Sequence, residues 1–309
     1  MSSPNPKDRK KNRKKIVLHW CGRFLLFVIP LELLLPLVPI PPAFEAGVWH
    51  GNSYRDRYWT ETKIDHNALG YRDVDWARSS LKPRIAFLGD SRFYGQYVDS
   101  KQTFSAVVQR KSSWETLNFG LPGASVYEAN DFILHDVLEY GPQKVVLCYD
   151  VNSSLFSIMS RAQGGSRSDV WRNLLRSSLI FRWLELGYYA IFQDIQPVMS
   201  LETYEALLEK MIQRLQQSGV DVVLVIGWTE LQDFPQLYTQ ERYNLFRQRG
   251  REVAEKHGLP VIEVEEILQG QDLDNMFVGM EKMHFSKKGH RFFADHLMMA
   301  LSLREDNAH

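Results

Sequence analysis

From residue 84 onward, short apolar and β-branched runs alternate with stretches of helical periodicity, and this restricts the chain to a parallel sheet covered by helices on both faces. Five runs read as strands: Arg84–Leu88, Glu115–Asn118, Lys144–Tyr149, Asp221–Ile226 and Pro260–Glu263. Before the fourth, Tyr204, Leu207, Leu208, Met211, Ile212 and Leu215 recur at three- and four-residue steps, with Ser200 as N-cap and Gly219 as the stop. A last helix is expected after Ser286, carrying Phe292, Phe293, His296, Leu297 and Ala300. The predicted fold is α/β, a three-layer sandwich around a central, mostly parallel five-stranded sheet. With 309 residues, 44% of them apolar, the chain can fill such a core.

The alternation breaks down between Ser153 and Ile195, where Gly164-Gly165-Ser166 precedes an aromatic-rich helical pattern with Trp171, Phe181, Trp183, Tyr188 and Tyr189. Arg176, Arg182 and Glu185 recur too often there for a membrane segment, so residues 153–198 are read as an inserted helical lobe, either a cap over a site or simple core. The sandwich domain is expected over residues 81–302, with a linker at 43–80 and a short tail at 303–309.

At the N-terminus, Lys7, Arg9, Lys10, Lys11, Arg13, Lys14 and Lys15 form a basic run, and an apolar stretch from Ile16 to Ile40 follows at once. That order belongs to a signal peptide or a signal anchor. Any cut after an Ala near Pro41-Pro42-Ala43-Phe44-Glu45-Ala46 leaves Pro41 or Phe44 upstream, where signal peptidase needs a small residue, so an anchor over residues 16–42 is favoured. Arg23, Glu32, Pro30, Pro36 and Pro39 interrupt the span, and an interfacial segment or a cleaved leader stays open. Cys21 follows Leu18-His19-Trp20, too bulky for a lipidation site. If the segment spans, residues 1–15 stay in the cytoplasm and everything after about residue 45 lies outside, in the periplasm of a Gram-negative cell. The expectation is a single-pass membrane protein.

Lys plus Arg and Asp plus Glu balance at 37 each, so no nucleic-acid partner is expected. The two cysteines, Cys21 and Cys148, imply no disulfide framework. No His, Cys, Asp and Glu cluster has metal-ligand spacing, and neither metal nor cofactor is expected.

A sheet of this kind binds ligands at the carboxyl ends of its strands. Gly89-Asp90-Ser91-Arg92 follows the first strand, Asn118-Phe119-Gly120-Leu121-Pro122-Gly123 the second, Asp150-Val151-Asn152 the third and Glu281-Lys282-Met283-His284 the fifth. A serine hydroxyl becomes a nucleophile when a base takes its proton and a third group holds that base. Ser91, His284 and Glu281 can fill those roles. The oxyanion of the intermediate needs hydrogen-bond donors, and the N–H groups of Ser91 and Gly123 and the amide of Asn152 suit it. His290 and His296, on the last helix, are read as packing residues.

Over about residues 81–302 the chain resembles the SGNH/GDSL hydrolase family, whose fold is flavodoxin-like. Gly89-Asp90-Ser91 is similar to the family's first block and Asn118 to Gly123 to its second, in which the last glycine is the oxyanion donor; this favours Gly123 over Gly120. Asn152 and His284 resemble the asparagine of the third block and the catalytic histidine. Asn67-Ala68-Leu69-Gly70-Tyr71-Arg72 resembles a segment common in membrane-anchored bacterial members. Two departures stand out. Asp150-Val151-Asn152-Ser153 keeps only the asparagine of Gly-X-Asn-Asp, and Glu281 stands where the family has Asp. Asp90 is read as structural, and Arg92 as either substrate-facing or on the surface.

The resemblance implies a serine esterase acting through an acyl-enzyme on a small acyl ester or an acylated carbohydrate, short O-acyl groups in particular. It also admits transfer of the acyl group to a sugar hydroxyl, with a membrane-bound acyltransferase as partner, and a non-catalytic binding or assembly module.

Overall fold

The computed structural model describes residues 64–154, 197–227, 239–278 and 283–302, together with the backbone of three short strands between residues 48 and 63. Those strands, β1 (Val48–His50), β2 (Ser53–Arg55) and β3 (Glu61–Lys63), pair antiparallel in a small sheet within the stretch expected to be linker. At three residues each they are too short for alternation to reveal them. The N-terminal apolar segment, most of the expected inserted lobe and Glu281 lie outside the described residues.

The main sheet holds β4 (Arg84–Gly89), β5 (Glu115–Asn118), β6 (Lys144–Cys148), β7 (Asp221–Ile226) and β8 (Val261–Glu263), within a residue or so of the runs expected from sequence. Helices α1 (Ser91–Tyr94) and α2 (Phe104–Lys111) follow β4, and α3 (Val126–Glu128) and α4 (Leu134–Glu139) follow β5. A five-residue π-helical turn, Ala129–Ile133, joins α3 to α4. Beyond β6 come α5 (Asp150–Ser154) and α6 (Leu201–Gln217). Beyond β7 lies α7 (Gln240–Lys256), and beyond β8 lie α8 (Val264–Leu268), α9 (Leu273–Met276) and α10 (Lys287–Ser302).

Every neighbouring pair in this sheet is parallel. Both faces are therefore covered, and each strand buries alternate residues in opposite cores. Ala86, Leu88, Val145, Leu147, Leu224 and Ile226 pack on one side with Met211 and Leu215 of α6 and Phe246 and Val253 of α7. Ile85, Phe87, Val146, Val223 and Val225 pack on the other with Val107 of α2 and Phe293 and Leu297 of α10. Helix α6 begins at Ser200, whose hydroxyl accepts the Thr203 N–H at 3.1 Å, and Gly219 beyond it takes φ +74°.

Strand order is β5-β4-β6-β7-β8. The chain steps outward from β4 to β5, then crosses back to β6, so the winding reverses between β4 and β6. That reversal opens a crevice at the carboxyl ends of these two strands. Ser91 follows one of them and Asn152 the other.

Candidate active site

Ser91 opens α1 immediately beyond β4, in a strand–turn–helix step that leaves its N–H, like every N–H of a first helical turn, without an acceptor inside the helix. Asp90 caps this helix, its carboxylate accepting the Arg92 N–H at 2.9 Å. Gly89 is required here, because a Cβ would lie 2.7 Å from the Phe93 ring.

His284 arrives on the loop before α10. The neck of that loop is closed by the Phe277–Phe285 bridge, by the Val278 N–H donating to the His284 carbonyl at 2.8 Å and by the Ser286 N–H donating to the Met276 carbonyl at 2.8 Å. Gly289 lets α10 pass close to this neck, since a Cβ would meet the Met276 carbonyl oxygen at 2.1 Å. The outcome is a buried pair: His284 Nε2 lies 2.8 Å from Ser91 Oγ, although 193 residues separate them. This distance suits proton transfer from the hydroxyl to the imidazole.

The loop after β5 folds back on the same point. Its Leu121 N–H donates to the Gly89 carbonyl at 3.0 Å, and Leu121-Pro122-Gly123-Ala124 closes with the Ala124 N–H on the Leu121 carbonyl at 3.1 Å. Pro at the second position and Gly123 at φ +80° in the third give a type II turn, and a side chain at 123 would strain it. Gly120 is needed for a different reason: a Cβ there would sit 2.2 Å from the Tyr94 backbone nitrogen. Asn152, buried in α5, donates its amide to the Ala124 carbonyl at 3.2 Å, so the blocks containing Ser91, Gly123 and Asn152 are hydrogen-bonded together.

Arg92 corrects both sequence alternatives: it neither faces a substrate nor reaches the surface. Its guanidinium is fully buried and meets Asp90 through two nitrogens, at 2.7 and 2.9 Å, and Asp150 at 2.8 Å. Asp150 also accepts the Val151 N–H at 2.8 Å, the Gly227 N–H at 3.0 Å and the Tyr243 hydroxyl at 3.2 Å. Burial opposes charge on Arg92, but Asp90, Cys148 and Asp150 outweigh it and hold the guanidinium pKa well above its usual value. Burial also opposes charge on Asp150, and Arg92 together with the Gly227 and Val151 N–H groups outweighs it and keeps the carboxyl below its ordinary range. The departure at Asp150 is thus one half of an ionic contact behind the serine.

Arg72 of the upstream segment is a second residue whose place the sequence does not reveal. It donates to the carbonyls of Tyr94, Gly95 and Val98, around the C-terminal end of α1. Asp73 beside it accepts the Asn118 N–H at 3.0 Å, joining this segment to the end of β5. His290 packs between Phe104 and Phe285, where its Nδ1 accepts the Phe104 N–H at 3.2 Å, and burial lowers its pKa to about 3. Among the described residues, no three His, Cys, Asp or Glu side chains are grouped to share an ion.

A parallel α/β sheet with a hydrogen-bonded serine and histidine at its switch point is the arrangement of a serine hydrolase. Family models make the class narrower: residues 87–292, more than half of the chain, match the GDSL-like Lipase/Acylhydrolase family. The chain belongs to that family, one of serine esterases and acylhydrolases. Among solved structures, the lipase/acylhydrolase from Enterococcus faecalis superposes with a TM-score of 0.50 at 18% identity, covering 72% of this chain and 96% of its own. The α/β hydrolase enzyme LAE5 from the metagenome of Lake Arreo, Spain, gives 0.50 at 15% identity, with 72% and 96% covered. At such identities the likeness is one of fold. A comparison with curated proteins found no match.

Proposed function

We propose that the protein is an esterase in which Ser91 is the nucleophile and His284 its base. The observation that carries this reading is the 2.8 Å contact between Ser91 Oγ and His284 Nε2. Nε2 takes the hydroxyl proton as Oγ attacks an ester carbonyl. The tetrahedral oxyanion is met by the N–H groups of Ser91 and Gly123 and by the second amide N–H of Asn152. The same imidazole then returns the proton to the departing alkoxide, and an acyl group stays on Oγ. Water, activated by His284, releases the acid and restores the serine. Glu281 is assigned to hold the imidazole, in the place where the family pattern has Asp.

The substrate we assign is a short O-acyl, in particular O-acetyl, ester on a carbohydrate outside the cytoplasm. Family membership supports ester chemistry, and the order of basic run and apolar segment at the N-terminus supports a membrane-anchored, extracytoplasmic location. The test is to present acetylated oligosaccharides, with and without unacetylated ones, and follow acetate by mass spectrometry. Free acetate is expected. Acetate appearing only on the second oligosaccharide would replace hydrolysis by transfer, and acetate left in place would refute the substrate assignment.

A further inference from the structure

The loop leaving α1 carries a backbone conformation that its side chain does not favour. Tyr97 has φ +74°, and it is the one non-glycine residue among those described with a positive φ. A tyrosine in the left-handed region is strained by contact between its Cβ and the backbone, and such strain persists only where neighbours enforce it. Here they do. Gly95, at φ +77°, already ends α1 and turns the chain, its N–H donating to the Ser91 carbonyl at 3.1 Å, with the Gln96 N–H on the same oxygen at 3.1 Å. Arg72 then grips the far side, its guanidinium donating to the Gly95 and Val98 carbonyls that bracket Tyr97.

Glycine or asparagine at position 97 would accept this backbone more easily, so what the strain retains is the aromatic ring. That ring packs against Ile64 and Tyr94 on one side. On another it meets the imidazole of His284, with ring centroids 5.0 Å apart and planes at 85°. A T-shaped contact of this kind restricts rotation of both rings. The plane of the imidazole decides whether Nε2 points at Ser91 Oγ.

We infer that Tyr97 is a positioning residue: its enforced left-handed backbone holds the phenol ring against His284 and fixes the imidazole plane in which Nε2 meets Ser91, with Arg72 of the upstream segment as the clamp. This rests on the reading of Ser91 and His284 as nucleophile and base. It gives the Asn67–Arg72 segment a task in the site although none of its residues is assigned to the chemistry.

The test compares the full-length protein with Tyr97→Phe and Tyr97→Asn. Asparagine suits the left-handed backbone, so that variant removes the ring without adding strain. With p-nitrophenyl acetate, Tyr97→Asn is expected to lower kcat by about 10- to 100-fold, as misplacement of a reacting group does. KM stays within about threefold and Tyr97→Phe within about twofold of wild type, the ring being the part that acts. Full kcat in Tyr97→Asn, a change confined to KM, equal damage in Tyr97→Phe, or unfolding of Tyr97→Asn would each overturn the inference. The imidazole C–H resonances of His284, assigned by their loss in His284→Ala, give a readout independent of turnover. They are expected to shift in Tyr97→Asn and to stay in Tyr97→Phe. If they do so in a protein that hydrolyses nothing, the contact stands and the esterase reading fails; if they do not move, the positioning role fails whatever the activity.

Discussion

Arg92 and Asp150, 58 residues apart in the chain, form a fully buried ion pair at 2.8 Å that joins the serine's helix to the segment carrying Asn152. Removing one partner leaves uncompensated charge in the core, at a cost of about 3–5 kcal/mol, whereas exchanging both for apolar or small residues can be close to neutral. Arg92→Leu, which strands both carboxylates, is therefore expected to lower Tm sharply. Arg92→Leu combined with Asp150→Gly removes one of the two stranded carboxylates but leaves the Asp90 charge uncompensated and takes away the acceptor of the Val151 and Gly227 N–H groups and the Tyr243 hydroxyl. The double variant is therefore expected to stay well below wild type yet lose less than the sum of the two single losses. Thermal unfolding of the single and double variants measures it, and strictly additive losses would contradict the coupling.

Asp73 predicts a dependence on pH. Burial raises its carboxyl from the ordinary 3.8 to about 6, against the hydrogen bonds from the Asn118 and Val74 N–H groups. The folded state thus holds this proton more tightly than the unfolded chain. Its stabilising contribution is present below about pH 3.8 and lost as pH rises through about 6. Asp73→Asn cannot lose a proton there. The difference in Tm between variant and wild type is expected to move in the variant's favour between pH 4 and pH 7.

His290 has the opposite sign. Its pKa falls from 6.5 to about 3 through burial, with Arg72 and His284 adding to the effect, so the native imidazole is neutral. The stability this represents is present above about pH 6.5 and lost as pH falls toward 3. His290→Leu leaves the Phe104 N–H unsatisfied, which costs about 1–3 kcal/mol at neutral pH. That variant is expected to lose less stability than wild type between pH 7 and pH 4, and to retain ester hydrolysis at pH 8. Urea titrations across that range and a p-nitrophenyl acetate assay check both points.

The sheet and the blocks at its strand ends were legible because parallel strands buried on both faces appear as continuous apolar runs, and chemistry in such sheets clusters just beyond them. Arg92 was misread because an arginine is rarely buried unless paired, and its second partner, Asp150, is distant in sequence. Helix α7 was hidden by composition. Its buried face, Tyr243, Phe246, Gly250, Val253 and Ala254, includes a glycine, which ordinarily weakens a helix. In the fold that glycine lets α6 approach, since a Cβ would come within 3.2 Å of the Tyr204 hydroxyl. The strained φ at Tyr97 is likewise set by Arg72 and Gly95, and no local pattern announces it.

The central claim is that Ser91 is activated by His284, and labelling with a fluorophosphonate tests it most directly. Mass spectrometry of the digested wild-type protein should find one adduct, on the peptide containing Ser91, and none in Ser91→Ala. In His284→Ala the labelling rate should fall by about 10⁴-fold or more, as when members of such a unit are removed. An adduct elsewhere, or undiminished labelling of Ser91 in folded His284→Ala, would contradict the account.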